Sequence, residues 1–294
     1  MSSARRPWVS SEIYDIGYRH YDGVRLGRGY STRALAAHSL RGVFGLGRPA
    51  RSKIVPFALA VVMLLPAVVS IAMMALMKQR GMPYSGFAVI MQAVVAIFLA
   101  AQAPAVVAPD LRYRVLPLYL SRPVTIVEYV TAKVAAMTAA LFLLLALPLT
   151  LIFIGELVID LEGPPQTKEY LGAMLMALIL ALLLSVFGLA IASLTPRRGL
   201  GVASVIAVYL LVSASIPVIY GTLHSMDKDD LAAWAWLLNP FWLVDAVQSW
   251  LFGTPPHSIE SNYPPGPAPA IITVVLVAAG IGVLALRYRK AASK

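Results

Sequence analysis

Six long runs of apolar residues divide the chain, and shorter polar segments separate them. A helix needs about 20 mostly apolar residues to cross a bilayer core about 30 Å thick. The pattern therefore predicts an all-α polytopic membrane protein whose six transmembrane helices are joined by loops. We place the spans at residues 54–77, 86–108, 134–155, 171–194, 200–222 and 268–286.

The spans define the domain organisation. Residues 1–53 form an N-terminal segment, residues 54–287 the transmembrane domain and residues 288–294 a short tail. The fourth and fifth spans lie so close in sequence that the basic turn at residues 195–199 has to separate them. No cleavable signal peptide is expected, because the first apolar run starts after 53 residues and is too long for the apolar core of a signal.

The composition agrees with this pattern. Hydrophobic residues make up 59% and charged residues 13% of the chain, against about 45–50% and about 25% in an ordinary soluble domain. These values exclude a disordered chain, a coiled coil and most soluble enzymes. The chain has no cysteine, which excludes disulfides, thiolate metal sites and a thiol nucleophile.

The net charge of +10 is distributed unevenly along the chain. Of the 24 lysines and arginines, 20 lie in the N-terminal segment, the loop after the second span, the turn after the fourth span and the residues after the sixth span. Loops rich in lysine and arginine stay in the cytoplasm, so both termini are predicted to be cytoplasmic. The basic pI of about 9.9 therefore reflects membrane topology, and no nucleic-acid partner is expected.

The predicted spans contain almost no ionisable side chains, although such groups mark ion and proton pathways. A carrier driven by an ion gradient is therefore disfavoured, and the energy for pumping is expected from another subunit. Enzyme motifs are missing as well. The chain has no G-x-S-x-G, and the spacing of Gly42 and Gly47 lacks the lysine of a phosphate loop because Arg48 and Pro49 follow it. We expect no enzyme activity, no metal and no cofactor in this chain.

Two segments precede the first span. In residues 11–22, three tyrosines would share one helical face, which would anchor at the membrane interface or dock a partner. Residues 31–46 combine an apolar face with arginines, and Ser31 suits the N-cap position. This pattern predicts an amphipathic helix in the inner-leaflet headgroups, with a soluble basic linker as the alternative.

The loop at residues 109–133 mixes large apolar side chains with charged ones. Pro117 and Pro123 divide it, and residues 124–133 follow a helical pattern that leads into the third span. A simple loop would not need so many large apolar residues. We therefore predict a short amphipathic helix here, pressed against the membrane or against another protein.

The stretch LPLYLSRPVTIVEYVTAK at residues 116–133 resembles the linker between the second and third spans of permease subunits of type-2 ABC exporters. It departs from the family's phrase at residues 125–127 and at Ala132. In that family the linker is a coupling helix that contacts a separate ATPase subunit, and residues 31–46 would be the family's elbow helix. The resemblance implies a role in ATPase coupling for Asp110, Arg112, Arg122, Glu128 and Tyr129.

The loop at residues 223–267 contains four of the five tryptophans. Asn239 is a good N-cap and Pro240 suits the first helical position, so a helix is predicted at residues 240–252. It is too short and too polar to span a membrane, which favours an interfacial or re-entrant helix. This arrangement resembles that of type-2 ABC permeases, which have short helices between their last two spans. In that family these helices narrow the outer exit. The resemblance implies an outer gate at Trp236, Asn239, Pro240 and Trp242, with an aromatic belt as the alternative.

The resemblance as a whole implies a permease subunit of an ATP-driven exporter in the bacterial plasma membrane. One six-helix unit would form half of the path, so a second permease, identical or related, is expected together with an ATPase subunit that binds ATP and magnesium. The apolar spans suit a hydrophobic or amphipathic substrate. Candidates for the lining of the path are Gln92, Gln102, Tyr209 and Ser213. The alternatives are a membrane scaffold or sensor subunit and a passive channel.

Overall fold

A computed structural model describes residues 17, 23, 26–113, 115, 118–119, 124–159, 161, 163–195, 197–257 and 263–292. Across these residues the chain is helical and contains no strand, which confirms the predicted all-α class. Ten α-helices and one 3₁₀ helix are described. They are α1 (Arg28–Val43), α2 (Arg51–Met77), α3 (Phe87–Ile90), α4 (Gln92–Arg112), α5 (Ile126–Val158), α6 (Thr167–Leu194), α7 (Arg198–His224), α8 (Asp229–Ala232), the 3₁₀ helix (Ala233–Leu238), α9 (Pro240–Phe252) and α10 (Ala268–Ala292).

Six helices of the described part of the chain are long and apolar enough to cross a membrane, namely α2, α4, α5, α6, α7 and α10. This confirms the predicted number of spans and their order. Most of these helices extend beyond the predicted boundaries, and the second and sixth spans show why. The second span is interrupted at Met91, whose φ of −91° and ψ of 10° leave the helical region, so α3 and α4 are separate helices. The sixth helix continues to Ala292, because Tyr288 packs into the bundle with 1% of its surface exposed.

Helix α1 occupies the region of the predicted amphipathic helix. It begins at Arg28, after Gly27 in extended conformation, so the prediction of Ser31 as N-cap is wrong and this residue lies in the first turn. The helix packs on α5 and α4. At its end, the ring of Phe44 lies 6.2 Å from that of Phe98 and 6.3 Å from that of Phe57. These contacts hold α1 against the bundle.

A capping box marks the start of α5. The hydroxyl of Thr125 accepts a hydrogen bond from the backbone N–H of Glu128 at 3.3 Å, and the Glu128 carboxylate accepts one from the backbone N–H of Thr125 at 2.7 Å. Such reciprocal bonds satisfy backbone groups that a helix end leaves unpaired. The predicted helical pattern at residues 124–133 is thus the first part of a helix that extends through the third span.

Helix α6 lies at the centre of the bundle and packs on α4, α5, α7, α9 and α10. Small residues allow this close packing. A Cβ atom at Gly188 would lie 2.4 Å from Cδ1 of Leu99, and one at Gly280 would lie 2.2 Å from Cγ1 of Val186. In contrast, α7 stands at the periphery, with only three of its 27 residues buried.

The bundle has two ends, which we name by their position relative to the termini. The terminal face comprises the described residues within 26–53, 113–125, 195–197 and 287–292, and the opposite face comprises those within 78–91, 159–166 and 225–267. The loop at residues 225–267 contains α8, the 3₁₀ helix and α9, so the opposite face carries most of the structure between the spans.

Candidate functional site

A helical hairpin, formed by the 3₁₀ helix and α9, folds back from the opposite face toward the spans. Its tip is Asn239, which is 1% exposed. The side-chain oxygen of Asn239 accepts a hydrogen bond from the backbone N–H of Phe241 at 2.9 Å, and Pro240 is the first residue of α9. The predicted N-cap and helix are therefore confirmed.

The tip of the hairpin lies deep within the layer of the spanning helices. The ring of Phe241 lies 6.4 Å from that of Tyr209. Tyr209 precedes the end of α7 at His224 by fifteen residues, which is about 22 Å at 1.5 Å per residue. The Asn239 amide also donates a hydrogen bond to Oε1 of Gln92 at 3.2 Å. This contact brings a predicted gate residue to a predicted lining residue.

A cavity of about 480 Å³ lies beside this tip. Its walls come from α4, α6, α7, α10 and the hairpin, and none of its lining residues is charged. Of the predicted lining residues, Tyr209 lines this cavity, whereas Gln92, Gln102 and Ser213 do not. Of the predicted gate residues, Asn239 and Pro240 line it. The sequence patterns did not single out Trp234, which also lines the cavity and is 44% exposed.

The other two predicted gate residues form an aromatic cluster. The rings of Trp236 and Trp242 lie 5.2 Å apart at an angle of 62°, and the ring of Tyr220 lies 5.4 Å from that of Trp236. Trp236 is 3% exposed. The cluster therefore packs the hairpin onto the end of α7 and does not face the cavity.

A buried carboxylate, missed by the sequence patterns, fastens the hairpin to the neighbouring loops. Asp245 is 3% exposed and accepts hydrogen bonds from the backbone N–H of His257 at 3.0 Å and from the Tyr263 hydroxyl. Its other oxygen lies 3.0 Å from Nδ1 of His257, and Nε2 of that ring lies 3.4 Å from Oγ of Ser85. Residue 86 is a glycine, and a Cβ atom there would lie 2.8 Å from the His257 ring.

The order Ser85, His257, Asp245 is that of a hydrolase triad. However, the cavity beside Ser85 and Asp245 measures about 20 Å³, which is enough for one water molecule. A substrate has no room there. We therefore interpret the group as a clasp that joins α9, the chain after it and the loop before α3.

A second buried carboxylate of the opposite face lies at the end of α5. Glu156, which is 6% exposed, accepts hydrogen bonds from the Tyr84 hydroxyl at 2.6 Å and from the backbone N–H of Gln166 at 3.0 Å. Nε of Arg80 lies 3.7 Å from it. Burial and, after it, the bond to Glu156 raise the pKa of Tyr84 well above its usual value. The tyrosine therefore remains a donor at all physiological pH values.

A buried ion pair lies near the terminal face, between α4 and α5. Nζ of Lys133 lies 2.7 Å from Oδ2 of Asp110, and the two side chains are 9% and 12% exposed. Lys133 also donates to the carbonyl of Val106 at 3.1 Å, and the Tyr129 hydroxyl donates to Asp110. The ring of Tyr288, in α10, lies 5.1 Å from that of Tyr129. Three spanning helices thus meet at one polar cluster.

The residues predicted to couple to an ATPase occupy different positions. Asp110 and Tyr129 belong to the buried cluster, and Tyr129 is only 1% exposed. They therefore join the helices beneath the terminal face and do not form its surface. Glu128 lies at the surface, where it caps α5 and lies 3.2 Å from the guanidinium of Arg28. Arg112 ends α4, with its guanidinium 5.6 Å from the ring of Tyr113. Arg122 lies outside the described residues, as do most of residues 1–25 with the three tyrosines.

Among the described residues, no group of three or more histidine, aspartate or glutamate side chains could hold a metal ion. The candidate site is the uncharged cavity with the hairpin tip. The buried carboxylates of Asp110, Glu156 and Asp245 do not line it and have structural partners. No family model matches the chain, and no curated protein matches it either.

Proposed function

We propose that this chain is the permease subunit of an ATP-driven exporter, and that a separate ATPase subunit docks on the terminal face. The observation that carries the proposal is the cavity of about 480 Å³ within the layer of the spanning helices. One of its walls is the hairpin, whose helix α9 has only 13 residues and is too short to cross a membrane. A polytopic protein with such a cavity has a place for a substrate.

The distribution of charge supports the assignment of the terminal face to the cytoplasm. Twenty of the 24 lysines and arginines lie before the first span, in the loop at residues 109–133, in the turn at residues 195–199 and after the sixth span, which all belong to this side of the topology, as the positive-inside rule requires of cytoplasmic segments. The hairpin then lies toward the outer leaflet, and the cavity lies between it and the cytoplasmic half of the bundle.

The polar cluster at Asp110 supports coupling through the loop at residues 114–125. These residues connect α4 to α5 in the chain, and the ion pair of Asp110 and Lys133 joins the same two helices. A displacement of the loop by a docked ATPase would move α4 and α5 together. Tyr129 extends the connection to α10 through its ring contact with Tyr288.

The state of the charged groups in the spanning helices supports an external energy source. The two buried acids of these helices, Asp110 and Glu156, are held by Lys133 and by Tyr84 with Arg80. Carriers driven by ion gradients use intramembrane carboxylates that bind and release cations, whereas these two are fixed by structural contacts. ATP hydrolysis in a partner supplies the energy in this proposal.

The exposed face of α7 supports pairing with a second permease. This helix has three buried residues out of 27, and its apolar side chains, such as Leu210 and Leu211, are 58% and 69% exposed. A second copy or a related permease covers this face in the proposed assembly, with lipid on the remainder.

Purification of the tagged chain from its native membrane in a mild detergent tests the proposal. An ATPase with a phosphate loop should be retained, and Arg122→Glu should reduce its recovery. Lys78→Glu, on the opposite face, is the matched control and should not. A chain that never retains an ATPase would refute the proposal. Transport that continues beside a hydrolysis-defective ATPase would identify a passive facilitator instead.

A further inference from the structure

The lining of the cavity restricts what can bind there. None of its lining residues is charged, and its hydrogen-bonding side chains are Trp234, Tyr209 and Asn239. An unpaired charge in an apolar environment costs several kcal/mol or more. A ligand that places a phosphate, carboxylate or ammonium group inside this cavity would find no partner of opposite charge.

The size of the cavity indicates an organic ligand. Its volume of about 480 Å³ lies within the range of about 300–1,000 Å³ that is typical of ligand pockets. Water would find few polar partners on these walls. Val208 lines the cavity and is 44% exposed, so the cavity opens beside α7 to the surroundings of the bundle, which are hydrocarbon in a membrane.

Selectivity requires a polar contact, because the surrounding lipid tails are as apolar as the walls. The hairpin tip provides one. The amide group of Asn239 has two hydrogens, and its contact with Gln92 uses one of them. Tyr209, whose hydroxyl can donate and accept hydrogen bonds, lines the same cavity. A neutral end group with a hydroxyl would match both side chains.

We propose that the cavity binds a single hydrocarbon chain of a neutral amphiphile, with its hydroxyl-bearing end group against Tyr209 and Asn239. That this amphiphile is the exported cargo rests on the proposed function, whereas the binding site itself belongs to this chain alone. The cavity therefore recognises an uncharged single-chain lipid and excludes lipids whose end group is ionised.

Quenching of tryptophan fluorescence tests the binding, with the purified chain in maltoside micelles. The probe is a monoacylglycerol with a dibrominated stearoyl chain, which quenches Trp234 on contact. We expect saturable quenching that unbrominated monostearoylglycerol reverses, and a smaller quenched fraction in Trp234→Phe. Stearate, whose end group is charged, should compete about tenfold less well, which is about 1.4 kcal/mol.

Two variants that fill the cavity distinguish this site from partition into the micelle. Val208→Phe and Val212→Phe place a larger side chain on the lining and should weaken binding about tenfold. Val61→Phe, on the exposed side of α2, which contributes no residue to the lining, is the matched control and should bind as the native chain does. Elution as a single peak in size-exclusion chromatography shows that each variant is folded. If only one of the two filling variants folds, that variant alone tests the site.

Equal, non-saturable quenching in all variants would overturn the proposed site. That result combined with retention of an ATPase would leave the exporter proposal intact. Saturable binding without any ATPase partner would support the site and count against the exporter. The two proposals therefore fail by different observations.

Discussion

Substitution of one partner of the ion pair of Asp110 and Lys133 should destabilise the protein strongly, whereas substitution of both partners together should destabilise it much less. Its atoms lie 2.7 Å apart and both side chains are nearly buried. Two unit charges about 4 Å apart attract by about 4 kcal/mol at an effective dielectric constant of about 20, and removal of one partner of a buried pair costs about 3–5 kcal/mol. Lys133→Met leaves a buried carboxylate with the Tyr129 hydroxyl as its partner. Asp110→Asn leaves a buried ammonium against the Val106 carbonyl.

We expect each single variant to lose about 3–5 kcal/mol of unfolding free energy and the double variant to lose much less than the sum, because it leaves no unpaired charge. Titration with dodecyl sulfate in mixed micelles measures these free energies. Arg28→Met is the matched control, since it breaks an exposed ion pair with Glu128 and should leave the unfolding free energy unchanged. A double variant as unstable as the sum of the single variants would refute the reasoning.

Three further outcomes follow from local contacts. Asn239→Ala should destabilise the hairpin by about 0.5–2 kcal/mol, whereas Asn239→Ser keeps a neutral capping oxygen, and faster amide hydrogen exchange in α9 of the alanine variant would show the difference. Gly188→Ala should cost about 1–3 kcal/mol, because its Cβ would lie 2.4 Å from Leu99. Gly282→Ala, with open space around it, should cost nothing in the same thermal melt, and equal losses would contradict this packing. Finally, the pKa of Tyr84 is raised in the folded protein, so only the unfolded state ionises as the pH rises above the tyrosine's unfolded pKa of about 10. The contribution of Tyr84 to stability is therefore fully present below that pH and decreases above it. Melting temperatures between pH 9 and pH 11, about one unit either side of that value, should therefore fall less steeply in Tyr84→Phe, and parallel curves would contradict this.

The sequence predicted those features that depend on few neighbouring residues. The six spans follow from runs of apolar residues long enough to cross a bilayer, and the start of α9 follows from the adjacent Asn239 and Pro240. The start of α5 follows from the helical pattern of residues 124–133. Each of these features has a local physical cause that the order of residues displays directly.

The features that the sequence did not predict depend on contacts between distant segments. Asp245 receives its partners from residues 12 and 18 positions later, and α10 is extended because Tyr288 packs against Tyr129. The start of α1 differs from the prediction, since the helix begins at Arg28 after an extended Gly27 without a side-chain cap. The cavity arises only where five segments come together, so no single run of residues reveals it.

The contact between Gly86 and His257 has a consequence for the divergence of this sequence. A side chain at position 86 and an imidazole at position 257 compete for the same volume, since a Cβ at residue 86 would lie 2.8 Å from the ring. Substitutions at these two positions, 171 residues apart in the chain, should therefore occur together. Among homologous chains, a residue larger than glycine at position 86 should accompany a smaller side chain at position 257, and Asp245 should then be free to change as well.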